Sequence, residues 1–327
     1  MKCTNKFYCL FFIILLTFGL SGCGELSYSL PYDVDTDVSA YSVGINKDVM
    51  KADPFAKDLA VVDGDIIVGE EIEPGAESYA AAGLFDVNSK KAIYSRNIYS
   101  TLYPASMTKV MTALVAMEHG SKDDILVATD NVYITESGAT LCGIQAGDKM
   151  TLDQAMHAML MYSGNDAAVM IAEGIGGSVE NFADMMNAEA LRLGATNTHF
   201  VNANGLHDEQ HYSTPYDMYL IFNEAIKYDW FNEIINMTSY VTTYTNAEGE
   251  SVELNVENRN RFLKGDVIPP SNVTVIGGKT GTTNAAGSNL VLLSRDVGGN
   301  PFISIVQKAD GPDVLYEKMN SLLSDIP

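Results

Sequence analysis

Ser106 and Lys109 lie three residues apart in Tyr103-Pro104-Ala105-Ser106-Met107-Thr108-Lys109. On a helix that spacing puts both side chains on one face, one turn apart. A serine hydroxyl becomes a nucleophile when a base within hydrogen-bond reach takes its proton. A lysine can be that base if burial keeps its amine neutral. The apolar run from Val110 to Met117 has few polar positions, so this helix is expected to be buried on most sides. Pro104 suits the helix start, and Gly120 its end. Backbone N–H groups at the start could face a developing oxyanion. These are parts for attack on a carbonyl. A Ser-x-x-Lys match alone, though, arises by chance about once in a chain this long.

Two further motifs change that reading. Ser163-Gly164-Asn165 falls between two expected helices, on a turn that would expose both side chains. Ser163 could relay a proton and Asn165 could hydrogen-bond a substrate amide. Lys279-Thr280-Gly281-Thr282 follows a strand ending in Gly277-Gly278, where a second backbone could lie close. Lys279 and Thr280 could bind an anionic group, and the N–H of Thr282 could complete an oxyanion hole.

Ser-x-x-Lys, Ser-x-Asn and Lys-Thr-Gly in this order resemble the motif set of penicillin-binding proteins and class A β-lactamases. The chain is similar to the serine D-alanyl-D-alanine carboxypeptidases, the low-molecular-mass penicillin-binding proteins. The stretches Ser163-Gly164-Asn165-Asp166-Ala167-Ala168, Phe200-Val201-Asn202-Ala203-Asn204-Gly205-Leu206 and Tyr212-Ser213-Thr214 carry the same resemblance. It implies that Lys109 activates Ser106 and that Ser106 attacks the carbonyl between two D-alanines of a peptidoglycan stem peptide. The N–H groups of Ser106 and Thr282 would hold the oxyanion, and Ser163, near Lys279, would pass a proton to the departing D-alanine. Asn165, Lys279, Thr280, Gly281 and Thr282 would bind substrate, and β-lactams would acylate the same serine. No cofactor and no metal is implied.

Two features depart from the family. Members commonly carry an arginine in the last β–α segment for the terminal carboxylate, whereas residues 307–322 here offer only Lys308 and Lys318. Many members also have a C-terminal β-sandwich and an anchor helix, which a lipid on Cys23 would replace. A β-lactamase, a DD-endopeptidase and a wall-peptide- or β-lactam-binding lipoprotein are the rival readings. Class A β-lactamases use a glutamate-bound water for deacylation. No Glu-x-x-x-Asn spacing occurs between Asn165 and Lys279, so a long-lived penicilloyl adduct is expected.

The elements that must position these residues alternate in character. Strands are predicted at 79–87 and 92–96, then helices at 152–161, 166–175, 178–193 and from 214. Thr151-Leu152-Asp153-Gln154 forms a capping box, and Thr214-Pro215-Tyr216-Asp217 is a helix start. A hairpin at 239–245 and 251–256, strands at 273–278, 288–295 and 302–307, and a helix at 313–323 follow. Strands at both ends imply one sheet built from both termini with a helical lobe inserted at about 120–235. The resemblance gives it as a β-lactamase/transpeptidase-like α/β (α+β) fold: a five-stranded antiparallel sheet flanked by helices. The catalytic domain is placed at 76–327.

Composition bounds the rest. The 327 residues carry a net charge of −22, which repels nucleic acid and anionic lipid headgroups. Lys2, Lys6 and the apolar stretch from Phe7 to Leu20 form a signal peptide, 1–22. Leu20-Ser21-Gly22-Cys23 resembles a bacterial lipobox, so Cys23 is expected to carry lipid and to tie the protein to the outer face of the cytoplasmic membrane. The acidic stretch to residue 75 reads as a solvated tether of roughly 40 Å reach, in which Asp65-Ile66-Ile67-Val68 could be ordered. Cys142 is then left alone, without a disulfide. His207 and His211 have a zinc-like spacing but sit in an expected loop, so no metal is assigned.

Overall fold

The computed structural model describes residues 56–68 and 78–327. The expected signal peptide, Cys23 and most of the tether lie outside the described residues. Among the described residues no helix is long and apolar enough to cross a membrane.

Five antiparallel strands form the main sheet: β1 (Ala81–Asp86), β2 (Lys91–Arg96), β7 (Thr274–Thr283), β8 (Gly287–Arg295) and β9 (Pro301–Ala309), in the order β2-β1-β9-β8-β7. The sheet is built from both ends of the domain, and β7 is one of its edges. Its central strands are covered on both faces, which explains their unbroken apolar runs. Leu290, Leu292, Phe302 and Val306 pack with α8 (Pro312–Ser324) on one side. Val291, Leu293, Ile303 and Ile305 point the other way, into the core that holds α1 (Lys109–His119) and α5 (Pro215–Ala225).

The helical lobe comprises α2 (Leu152–Met161), α3 (Asn165–Gly176), α4 (Val179–Leu193), α5 and α6 (Asp229–Asn236). The Thr151–Gln154 capping box forms as expected, and Thr214 caps α5 with Pro215 at its first position. Short strands β3 (Ile125–Val127) and β4 (Lys149–Thr151), absent from the sequence reading, pair with the hairpin β5 (Ser239–Thr245) and β6 (Ser251–Glu257). The hairpin therefore belongs to a second, four-stranded sheet. Three-residue strands carry too little pattern to be seen in sequence. The same holds for the one-turn helix α7 (Arg261–Lys264).

The tether needs a correction. Residues 56–68 do not stand off in solvent; they strap across the catalytic domain. Ala60 is fully buried, its N–H donates to Tyr219 Oη at 2.9 Å, and its carbonyl accepts from Tyr216 Oη at 2.9 Å. Tyr99 donates to the Val62 carbonyl. Ile66 exchanges backbone hydrogen bonds with Ser95 of β2, at 2.8 and 2.9 Å, so the strap covers a sheet edge that would otherwise be open to aggregation. Three tyrosines far along the chain supply these contacts, which local composition could not reveal. Ala60→Asp, placing a charge at a sealed position, is expected to cost about 2–4 kcal/mol of stability in urea titration. No change would mean that the strap is not seated.

Candidate active site

The nucleophile segment differs from the expected single helix. Pro104 precedes a 3-10 turn over Ala105–Thr108, and α1 begins only at Lys109. Ala105 has φ +48°, a left-handed conformation that an alanine adopts only when its surroundings enforce it. The turn lifts Ser106 to partial exposure, while every residue of α1 from Lys109 to Met117 is buried. The i, i+3 contact survives the change of helix type: Lys109 Nζ lies 2.9 Å from Ser106 Oγ, within hydrogen-bond reach.

Lys109 has two further acceptors, Asn165 Oδ1 at 2.7 Å and the Asn204 carbonyl at 2.5 Å. Burial holds its amine well below the ordinary lysine range, and the nearby positive charge of Lys279 pushes the same way. Asn165 is not on an exposed turn, as the sequence suggested; it opens α3 and is buried. Ser163 is also buried, with φ +72°. Backbones in that region cost about 1–3 kcal/mol, and here the conformation turns the hydroxyl towards Lys279, whose Nζ donates to it at 2.9 Å.

Lys279 shows why its motif was misplaced. Lys279-Thr280-Gly281-Thr282 is not a turn after a strand but the second half of β7, paired with Val291, Leu290, Asn289 and Ser288 of β8. The glycines at 277 and 278 do not end the strand; the register shifts by a bulge between Val275 and Gly277, and the pairing with β8 continues beyond it. Lys279 is 1% exposed, and its second hydrogen bond goes to the Thr280 carbonyl at 2.9 Å. Burial, with Arg259 adding to it, pushes its pKa down to about 7.

Two glycines let backbone approach the nucleophile. A Cβ on Gly281 would sit 2.8 Å from both the Pro104 carbonyl and the Ser106 nitrogen, and one on Gly205 2.0 Å from the Ala105 carbonyl. Gly281→Ala is expected to push β7 off the serine turn and cut activity roughly 100-fold, with stability changed far less. Steady-state rates beside a melting curve check this. Unaltered kinetics would show that the close approach is dispensable.

Ser106, Ser163, Asn165, Thr280, Gly281 and Thr282 all line one cleft of about 470 Å³. The cleft also takes in residues that the sequence reading missed. The loop around Glu136–Thr140 forms one wall. It is clamped by Asp166, whose carboxylate accepts from the N–H groups of Cys142, Gly143 and Ile144 at 2.8, 2.9 and 3.1 Å. Arg259 also lines the cleft, donating to Thr140 Oγ1 at 2.5 Å. Arg259-Asn260-Arg261 was a visible basic pair, but nothing in its spacing pointed at the cleft. His207 and His211 serve separate contacts: His207 meets the Tyr103 ring edge-on, and buried His211 bonds Thr108 at 2.7 Å.

The family profile described as D-alanyl-D-alanine carboxypeptidase (peptidase S11) matches residues 70–311. The chain is 35% identical over 261 residues to the D-alanyl-D-alanine carboxypeptidase DacF of Bacillus subtilis, covering 78% of this chain and 64% of DacF. It is 32% identical to DacC of Escherichia coli, covering 74% of this chain and 59% of DacC. The chain thus spans less than two thirds of the length of these relatives. The crystal structure of the Streptomyces K15 DD-transpeptidase superposes with a TM-score of 0.69 at 24% identity, covering 78% of this chain and 98% of that one. A penicillin-binding protein homologue from Mycobacterium tuberculosis gives 0.66 at 26% identity, covering 80% and 94%. The fold, a five-stranded antiparallel sheet flanked by helices, is that of these DD-transpeptidase and penicillin-binding protein homologue structures. Within that fold the chain belongs to the D-alanyl-D-alanine carboxypeptidase family, peptidase S11.

Proposed function

We propose that this protein is a serine D-Ala-D-Ala carboxypeptidase that removes the terminal D-alanine from peptidoglycan stem peptides. The observation that carries it is the contact of a buried, deprotonation-prone lysine with a partly exposed serine, Lys109 Nζ to Ser106 Oγ at 2.9 Å. The substrate lies beside the edge strand β7. Lys109, neutral, accepts the Ser106 proton as Oγ attacks the carbonyl between the two D-alanines. The N–H groups of Ser106 and Thr282 hold the oxyanion. Asn165 serves the substrate amide and steadies Lys109. As the C–N bond breaks, Ser163, held by Lys279, relays to the leaving D-alanine the proton that Lys109 took from Ser106, giving its own and recovering that one, so that Lys109 is neutral again. Water then hydrolyses the ester and returns the proton to Ser106.

β-Lactams acylate Ser106 and stay. Glu136, on an exposed loop, is the one carboxylate among the described residues lining the cleft, which gives little support to a buried water-activating glutamate. Lipid on Cys23 would hold the enzyme at the outer face of the cytoplasmic membrane, facing the wall.

The test is release of D-alanine from diacetyl-L-Lys-D-Ala-D-Ala, together with the intact mass after benzylpenicillin, the adduct mapped to the peptide holding Ser106. A folded protein that does neither refutes the proposal. Rapid penicillin turnover would favour a β-lactamase.

A further inference from the structure

A peptide cleaved one residue from its end places a carboxylate about 3.8 Å of chain beyond the reacting carbonyl. A cation there would hold that carboxylate by charge-assisted hydrogen bonds. The motif lysines are committed elsewhere: Lys109 is tied to Ser106, Asn165 and Asn204, and Lys279 to Ser163 and the Thr280 carbonyl. The two lysines of the last β–α segment are also elsewhere. Lys318 Nζ lies over the Tyr94 and Tyr79 rings, 4.6 and 5.1 Å from their centroids, and Lys308 lines a separate depression with Tyr79 and Asn97.

Among the described residues two arginines line the cleft, each held by a different neighbour. Arg259 faces the 136–140 loop, fixed by Thr140 and by the Tyr162 ring at 5.7 Å. Arg261 faces the start of α8. Its Nη1 donates to Asp313 Oδ1 at 2.7 Å, its guanidinium lies 5.1 Å from the Tyr316 ring centroid, and its backbone N–H donates to Tyr316 Oη at 2.9 Å. Pro312, Leu315 and Tyr316 of α8 line the cleft at this wall, with Thr282 and Thr283 of β7. Stacking on Tyr316 orients the guanidinium, and its planar fork suits a carboxylate held by two parallel bonds. Asp313, whose side chain is 93% exposed, holds it by a surface pair that contributes little and can be exchanged for another carboxylate.

We infer that Arg261 is the specificity-determining residue that receives the terminal carboxylate of the substrate, taking it over from Asp313 at the α8 wall of the cleft. This rests on the carboxypeptidase reading above. It explains how the chain manages without an arginine in its last β–α segment: the cation comes from α7, where it contacts Asp313 and Tyr316 of α8.

The experiment uses the full-length chain in detergent and two peptides, diacetyl-L-Lys-D-Ala-D-Ala and its C-terminal amide. Arg261→Ala should lose roughly 10–100-fold in kcat/KM on the acid, the range for hydrogen bonds to a charged group, mostly through KM. The amide should change less than about twofold, so the acid-to-amide ratio collapses. Arg261→Lys should fall between wild type and Arg261→Ala, and Asp313→Asn should keep the ratio at or above the wild-type value. Equal losses on both peptides, an unchanged ratio, or a collapse of the ratio in Asp313→Asn would each overturn the assignment. Acylation by benzylpenicillin against its methyl ester gives the same comparison without peptide. A wild-type protein that neither releases D-alanine nor forms an adduct overturns the carboxypeptidase reading itself, and this inference with it. An active wild type with an unmoved ratio in Arg261→Ala overturns Arg261 alone.

Discussion

Ser106→Ala is expected to abolish labelling by fluorescent penicillin and to reduce D-alanine release by at least about 10⁴-fold. Losses of that size follow when the nucleophile of a covalent mechanism is removed, since the remaining oxyanion donors and binding contacts support only residual catalysis. The fold should survive. Ser106 is partly exposed, and its described side-chain hydrogen bond is the one from Lys109. Lys109 keeps Asn165 and Asn204 after the change. The stability cost should stay near 1 kcal/mol, so the melting temperature separates a dead enzyme from an unfolded one. Retained labelling would move the nucleophile elsewhere.

The pH profile should be bell-shaped, and its two limbs should belong to two lysines. On the acid side, protonating Lys109 removes the base, so kcat/KM rises with pH as its amine becomes neutral. Burial and the charge of Lys279 put that transition well below the ordinary lysine range. On the alkaline side, Lys279 loses its charge near pH 7, and with it the ammonium that orients Ser163. The optimum is therefore expected where the largest share of molecules holds Lys109 neutral and Lys279 charged. Lys109→Arg should lose roughly 10²–10⁴-fold, because a guanidinium keeps the charge but cannot give up its proton. Lys279→Met should remove the alkaline limb. A profile flat from pH 5 to 9 would contradict both assignments.

The same shifts bear on stability. Between about 7 and the ordinary lysine value of 10.5 the unfolded chain holds a proton on Lys279 that the folded protein has released. The cost of burying the ammonium is thus present below pH 7 and relieved as pH rises through that window. Lys279→Met should flatten this part of the stability curve.

The residues that could do the chemistry, and most of the elements that carry them, were legible from local sequence alone. The capping box at Thr151, the Thr214-Pro215 start and the hairpin flanking residues 246–250 sit where local rules placed them, because caps, prolines and period-two patterns act over a few residues. Other features depend on contacts between distant segments. The 3-10 turn under Ser106, the left-handed backbones of Ala105 and Ser163 and the extension of β7 through Lys279-Thr280-Gly281-Thr282 are imposed by neighbours distant in sequence. The strap at 56–68, composed like a solvated tether, is seated by Tyr99, Tyr216 and Tyr219. The protonation of Lys109 and Lys279 is likewise a property of burial, and burial exists only once strands from both ends of the domain close around the helical lobe.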